Sequence, residues 1–150
     1  MVRHGLLIAA LLVAMPATAS HELARIADDQ KLLRAFGEMV LRSSPNSGVE
    51  VAAFIVRDEA GNLQCQLWPA TAQYGSQVYH GFIPQNVVAI VHTHPPSADK
   101  RPSPGDIVES RRLGLAIYVL TRSGIYAADP DSGAVVPVIE DQNWISAALR

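Results

Sequence analysis

The spacing of apolar residues divides the chain into elements. Between Glu22 and Leu41, the residues Leu23, Ile26, Leu33, Phe36 and Val40 recur at steps of three, four and seven, which lays one apolar stripe along a helix. Ser43 to Gly48 is turn chemistry throughout: Pro45 cannot continue a helix and Gly48 admits a left-handed bend. The register then changes. Gly48 to Val56 reads GVEVAAFIV, rich in β-branched and aromatic residues, and predicts a strand. Asp58 to Asn62 (DEAGN) turns it into a second strand over Leu63 to Trp68, a hairpin. Val78 to Ile83 predicts a short strand, and the unbroken apolar run Val87 to His92 (VVAIVH) a strand buried on both faces.

Ser97 to Gly105 is a proline-bearing polar loop. Asp106 to Leu113 (DIVESRRL) has helical spacing and ends before Gly114. Leu115 to Thr121 predicts another buried strand, and the turns at Ser123-Gly124 and Asp129 to Gly133 set off strands over Ile125 to Ala128 and Ala134 to Ile139. Asp141 to Leu149 predicts a short closing helix with Trp144 and Ile145 facing inward. The order helix, strands, helix, strands, without repeats or a linker, predicts a single α/β domain with a mixed sheet flanked by helices.

Composition narrows the class. With 150 residues, 49% of them apolar, and a net charge of -2, the chain fits one globular domain. Its Lys and Arg residues are scattered, which argues against a nucleic-acid partner. Residues 1–19 read as a secretory signal: Arg3 supplies the positive start, Gly5 to Met15 the apolar run, and Ala17-Thr18-Ala19 the small residues at a cleavage site. The apolar run is shorter than the ~20 residues that span a bilayer, so cleavage is expected rather than anchoring. The expected mature domain, 20–150, is then exported, periplasmic or secreted, and carries no stable membrane span. About 130 residues suffice for one core. Cys65 is the only cysteine, so no intrachain disulfide can form; its setting in Leu63-Gln64-Cys65-Gln66-Leu67 predicts a half-buried strand residue rather than a reactive thiol.

Candidate chemistry begins where the VVAIVH strand ends. His92 and His94 lie two apart, so a continuing strand projects both rings from one face, and paired imidazoles suit zinc if a third ligand is supplied. Such pairs also occur as plain polar strand ends. Asp106, opening the next helix after a loop able to fold back, is the best-placed carboxylate. Asp99 is the rival, but it sits within the loop with no helix start to fix it. Glu50 opens a buried strand, whereas Glu59 belongs to a turn, so Glu50 is the better candidate of the two acids; taken apart from the His92-Thr93-His94-Pro95 segment it reads as a solvated strand-end residue. Ser103 stands where it can cap the Asp106 helix. His21 and His80 read as solvated surface residues.

The order of these residues, a glutamate on an earlier strand, then His92-Thr93-His94-Pro95, then Ser103-Pro104-Gly105-Asp106, resembles the signature of the JAMM (MPN-plus) metallopeptidases. Leu113 to Asp129 also resembles the strand, turn and strand after the metal helix in bacterial members, so the likeness spans about Val49 to Pro137. The resemblance implies a cytidine-deaminase-like fold and one zinc ion on His92, His94 and Asp106. It also implies Glu50 as general acid and base toward the metal's water, and Ser103 as hydrogen-bond donor to the oxyanion. One departure stands out: eight residues separate His94 from Ser103, one more than the family's usual spacing. Added loop length is cheap in free energy.

The function this implies is an exported zinc peptidase or isopeptidase acting on a protein or peptide substrate. Two alternatives follow from the same residues: a secreted effector or toxin with the same amide-hydrolase chemistry, and a catalytically inactive binding module on the same fold. Retention of every chemical role in the motif argues against the inactive module.

Overall fold

The computed structural model describes residues 5–9, 25–43, 49–69 and 76–150. In chain order the elements are β1 (Gly5–Ala9), a helical turn over 25–28 (α1), α2 (Gln30–Ser43), β2 (Ala52–Arg57), β3 (Leu63–Leu67), β4 (Ser76–His80), β5 (Val87–Thr93), α3 (Pro104–Leu113), β6 (Ala116–Thr121), β7 (Gly124–Ala128), β8 (Val135–Ile139) and α4 (Trp144–Ala148). The helix expected from Glu22 is interrupted at Asp29, whose Oδ1 accepts the Leu32 N–H at 3.0 Å and so starts α2 afresh.

Six strands form one sheet in the order β3-β2-β5-β6-β7-β8. Only β5 and β6 run parallel within it. A parallel pair needs a crossover, and α3 supplies it. Along the central strands successive side chains alternate between two cores. Ala53, Ile55, Ala89, Val91, Tyr118 and Leu120 pack with Leu32, Phe36, Met39 and Val40 of α2 and with Trp144 and Ala148 of α4. Phe54, Ile90 and Ile117 pack on the opposite face with Trp68 and with Leu113 of α3. Burial on both faces explains why VVAIVH and its neighbours are apolar without alternation. The result is the mixed α/β single domain the sequence pattern predicts.

The closing helix is shorter than expected but buries Trp144, whose Nε1–H donates to the Thr121 carbonyl at 2.9 Å. Within the predicted leader, Gly5–Ala9 pairs in parallel with β4 as a separate two-stranded sheet. The rest of residues 1–19 lies outside the described residues. Among the described residues, no helix is long and apolar enough to cross a membrane.

Candidate metal centre

The site lies at the C-terminal end of β5. His92 has the same parity as Ile90, so its ring leaves the sheet on the α3 side. His94 is one residue past the strand, but its N–H donates to the Leu120 carbonyl at 3.0 Å, which carries the alignment with β6 one step further. Both rings therefore share a face, as their spacing predicts, with centroids 4.9 Å apart.

Each remaining group arrives by a separate local device. The N-cap of α3 is Ser103, whose Oγ accepts the Asp106 N–H at 3.2 Å, while Asp106 Oδ2 accepts the Ser103 N–H at 2.6 Å. This capping box, with proline in the first turn and Gly114 closing the helix in the left-handed conformation, fixes the Asp106 side chain. Its Oδ1 then lies 3.2 Å from His92 Nε2 and its Oδ2 3.9 Å from His94 Nε2. The eight residues between His94 and Ser103 thus leave Asp106 within reach of both rings.

Glu50 precedes β2 rather than beginning the strand, because one of the two bonds that hold the chain there goes to a side chain and not to the backbone. Val51 N–H donates to Thr93 Oγ1 and Thr93 N–H to the Val51 carbonyl, both at 2.9 Å. The buried Gln77 of β4 donates its side-chain amide to the Glu50 carbonyl. With Ala52 opposite His92 in the β2–β5 register, these bonds carry Glu50 across to the rings, and its Oε2 stands 3.3 Å from His92 Nδ1.

Asp99 enters in an unforeseen way. Its carboxylate faces outward to Arg101 at 3.1 Å, but its backbone carbonyl lies 2.6 Å from His94 Nδ1. A carbonyl can only accept, so Nδ1 carries the ring hydrogen and Nε2 presents its lone pair to the site. Sequence reasoning missed Thr93, Gln77 and this carbonyl. Ordinary polar residues acting through backbone atoms leave no motif.

Glu50, His92, His94 and Asp106 are all buried. Glu50, His92 and His94 each offer a ligand atom within 4.8 Å of the others, a group able to hold a metal ion. Glu50 Oε1, His92 Nε2 and His94 Nε2 are buried there without a hydrogen bond, a costly arrangement unless a cation or proton satisfies them. The electrostatics agree. Burial disfavours a charged His92, but the Asp106 carboxylate, with Glu50 behind it, overcomes this and pushes its pKa up to about 10. Burial also opposes ionised Asp106, yet His92 and the Ser103 hydrogen bonds hold its carboxyl well below the usual range. His94 is shifted down, first by burial and then by the charge on His92. The two carboxylates thus favour positive charge at His92. The donors are imidazole nitrogens and carboxylate oxygens, which suit a divalent transition metal.

A cleft of about 180 Å³ opens beside His94, between the Pro95-Pro96 segment and the β6–β7 turn. Ser103 sits half-buried at the helix start and His80 is exposed. His21 lies outside the described residues. No protein-family model matches the chain, and comparison with curated proteins yields no match.

Proposed function

We propose that this chain is an exported zinc hydrolase of the JAMM type, on a cytidine-deaminase-like fold, that cleaves peptide or isopeptide bonds. The observation that carries this reading is the convergence of His92, His94, Asp106 and Glu50 in one buried group whose inward nitrogens make no hydrogen bond. Their order along the chain is that of the His-x-His-Pro and Ser-x-x-Asp signature.

His92, His94 and Asp106 would hold the ion. The capped Asp106 carboxylate reaches the Nε2 atoms of both rings, whereas Glu50 meets His92 through Nδ1 and keeps Oε1 without a hydrogen bond. A bound zinc ion supplies Lewis acidity, acidifying water and polarising a carbonyl oxygen. Glu50 is the proton carrier: its Oε1 takes a proton from the attacking water and returns it to the departing amine. Ser103 uses its oxygen to accept within the helix cap, which leaves its O–H hydrogen to donate to the developing oxyanion. His94 is held in the correct tautomer by the Asp99 carbonyl.

Removal of residues 1–19 on export would take β1 with it; the six-stranded sheet does not include β1, but β4, whose Gln77 holds the Glu50 carbonyl, would lose its strand partner and α3 a neighbour. A secreted effector or toxin would use the same chemistry, and substrate identity separates the two.

Substrate profiling of the zinc-loaded mature chain against Glu50→Gln tests the proposal. The expected result is one zinc per chain in both proteins, with turnover reduced at least ~100-fold in the variant. Full turnover by Glu50→Gln would remove Glu50 as the base. Substoichiometric metal that His92→Ala leaves unchanged would favour the inactive binding module.

A further inference from the structure

The two outer edges of the six-stranded sheet are not alike. β8 carries Pro137 at its centre, a residue with no N–H to give a ladder. β3, at the other edge, reads Leu63-Gln64-Cys65-Gln66-Leu67, without proline or charge. Among the described residues no strand lies beyond it. Sheet edges are ordinarily blunted by a charge, a proline, a bulge or a covering segment. β3 has none of the first three, since its pairing with β2 runs without a shift of register.

The ladder shows which backbone groups face outward. Asp58 N–H donates to the Asn62 carbonyl and Trp68 N–H to the Ala52 carbonyl, both at 2.9 Å. Bonded pairs alternate along an antiparallel ladder, so counting inward from either end makes Val56–Gln64 and Phe54–Gln66 the bonded pairs. Leu63, Cys65 and Leu67 therefore turn their N–H and C=O groups away from β2, toward the open edge. Their side chains share the face on which α2 packs: Leu63 and Cys65 join that core, while Leu67 is 45% exposed.

The strand reads the same in both directions. A second copy turned about a two-fold axis through Cys65 meets it antiparallel, with Leu63 opposite the partner's Leu67, Gln64 opposite the partner's Gln66, and Cys65 opposite its own counterpart. Among registers that bring the outward groups together, this one pairs the whole strand. Leu63, Cys65 and Leu67 then fall at bonded positions, where each pair exchanges two hydrogen bonds. Leu67 gains a leucine neighbour on the α2 side. On the other face the glutamines meet: Gln64 Nε2 already donates to Asp58 Oδ2 at 3.1 Å, which leaves its side-chain oxygen to accept from the partner's Gln66. No like charges are opposed anywhere along the strand.

We propose that β3 is a self-pairing edge through which two copies of this chain form a symmetric dimer with one continuous sheet. The interface is isologous and closed, so it stops at two copies. The metal group on β5 lies two strands inward, and each copy keeps its own. A strand pair this short buries less than the ~1,200 Å² of standard interfaces, so the dimer is reversible and depends on concentration.

Sedimentation velocity of the full chain in reductant, from about 10 µM to about 1 mM, should show a reversible monomer–dimer equilibrium. Hydrogen exchange then locates the contact. At the dimeric end the amide hydrogens of Leu63, Cys65 and Leu67 should exchange at least ~10-fold more slowly than at the monomeric end, while those of Gln64 and Gln66, already bonded to β2, should not change. Two double variants test the register. Gln64→Lys/Gln66→Lys sets lysine opposite lysine across the axis and should weaken the dimer about tenfold. Gln64→Lys/Gln66→Glu sets lysine opposite glutamate and should restore it. Both glutamines are exposed, so circular dichroism should show both variants folded. A chain that stays monomeric up to about 1 mM would overturn the proposal. So would a dimer whose three outward amides exchange as fast as in the monomer, or equal dimerisation by the two double variants.

Discussion

Asp106 Oδ1 lies 3.2 Å from His92 Nε2, brought there by a helix cap rather than by the loop that precedes it. The carboxylate is useful to a metal because Ser103 has already fixed its direction. Asp106→Asn keeps the shape and an oxygen for the cap but removes the charge. We expect zinc affinity to fall at least ~10-fold in a chelator competition, with the helix retained. Unchanged affinity would make Glu50, not Asp106, the carboxylate ligand.

The same contact makes the metal-free protein sensitive to pH. His92 is raised in the fold, so its contribution is complete below its ordinary value of 6.5 and is lost as pH rises towards about 10. Asp106 is lowered, so its contribution is complete above 3.8 and is lost as pH falls further. One contact underlies both shifts and counts once. Thermal scans in a chelator should give the highest Tm between about pH 4 and pH 6.5. On the proposed reading zinc would replace the His92 proton, so the Tm gain on adding zinc should be larger at pH 8 than at pH 5. An equal gain at both would show that no proton is displaced.

Cys65, half-buried in β3, should be inert in the folded chain. Burial, with Asp29 adding to it, pushes its thiol up to about 12. At pH 8 alkylation should run on the order of a thousandfold slower than for an exposed cysteine and recover in denaturant. Fast labelling of the native protein would contradict this.

Two glycines separate strain from space. Gly114 has φ +65° with open space where a Cβ would go, so Gly114→Ala should cost only ~1–2 kcal/mol, from the left-handed backbone alone. Gly124 has φ +154° and a Cβ there would run into the Ile139 carbonyl oxygen, so Gly124→Ala must displace β8. Chemical denaturation should show the larger loss at Gly124, above ~2 kcal/mol. Equal losses would mean that β8 gives way freely.

Local patterns were legible where one element decides the outcome. The helix ending at Gly114, the buried run Val87 to His92, and the shared face of His92 and His94 follow from turn chemistry and from the period of a strand. The start of α2 was misread because the Asp29 side chain breaks an apolar stripe that continues on both sides of it. The start of β2 was misread for a related reason: Thr93 gives Val51 a side-chain partner where the pattern assumes a backbone one.

The sequence by itself determined which residues could do chemistry, since imidazole, carboxylate and hydroxyl at fixed spacings limit what each can bind. Tertiary structure alone decided that they meet. The Ala52–His92 register and the Val51–Thr93 bonds place Glu50 beside one ring, and the Asp99 carbonyl chooses the tautomer of the other. α3 crosses on the face that His92 shares with Ile90. Strand register and the face a crossover takes depend on the whole sheet's packing, so no single stretch of chain encodes them.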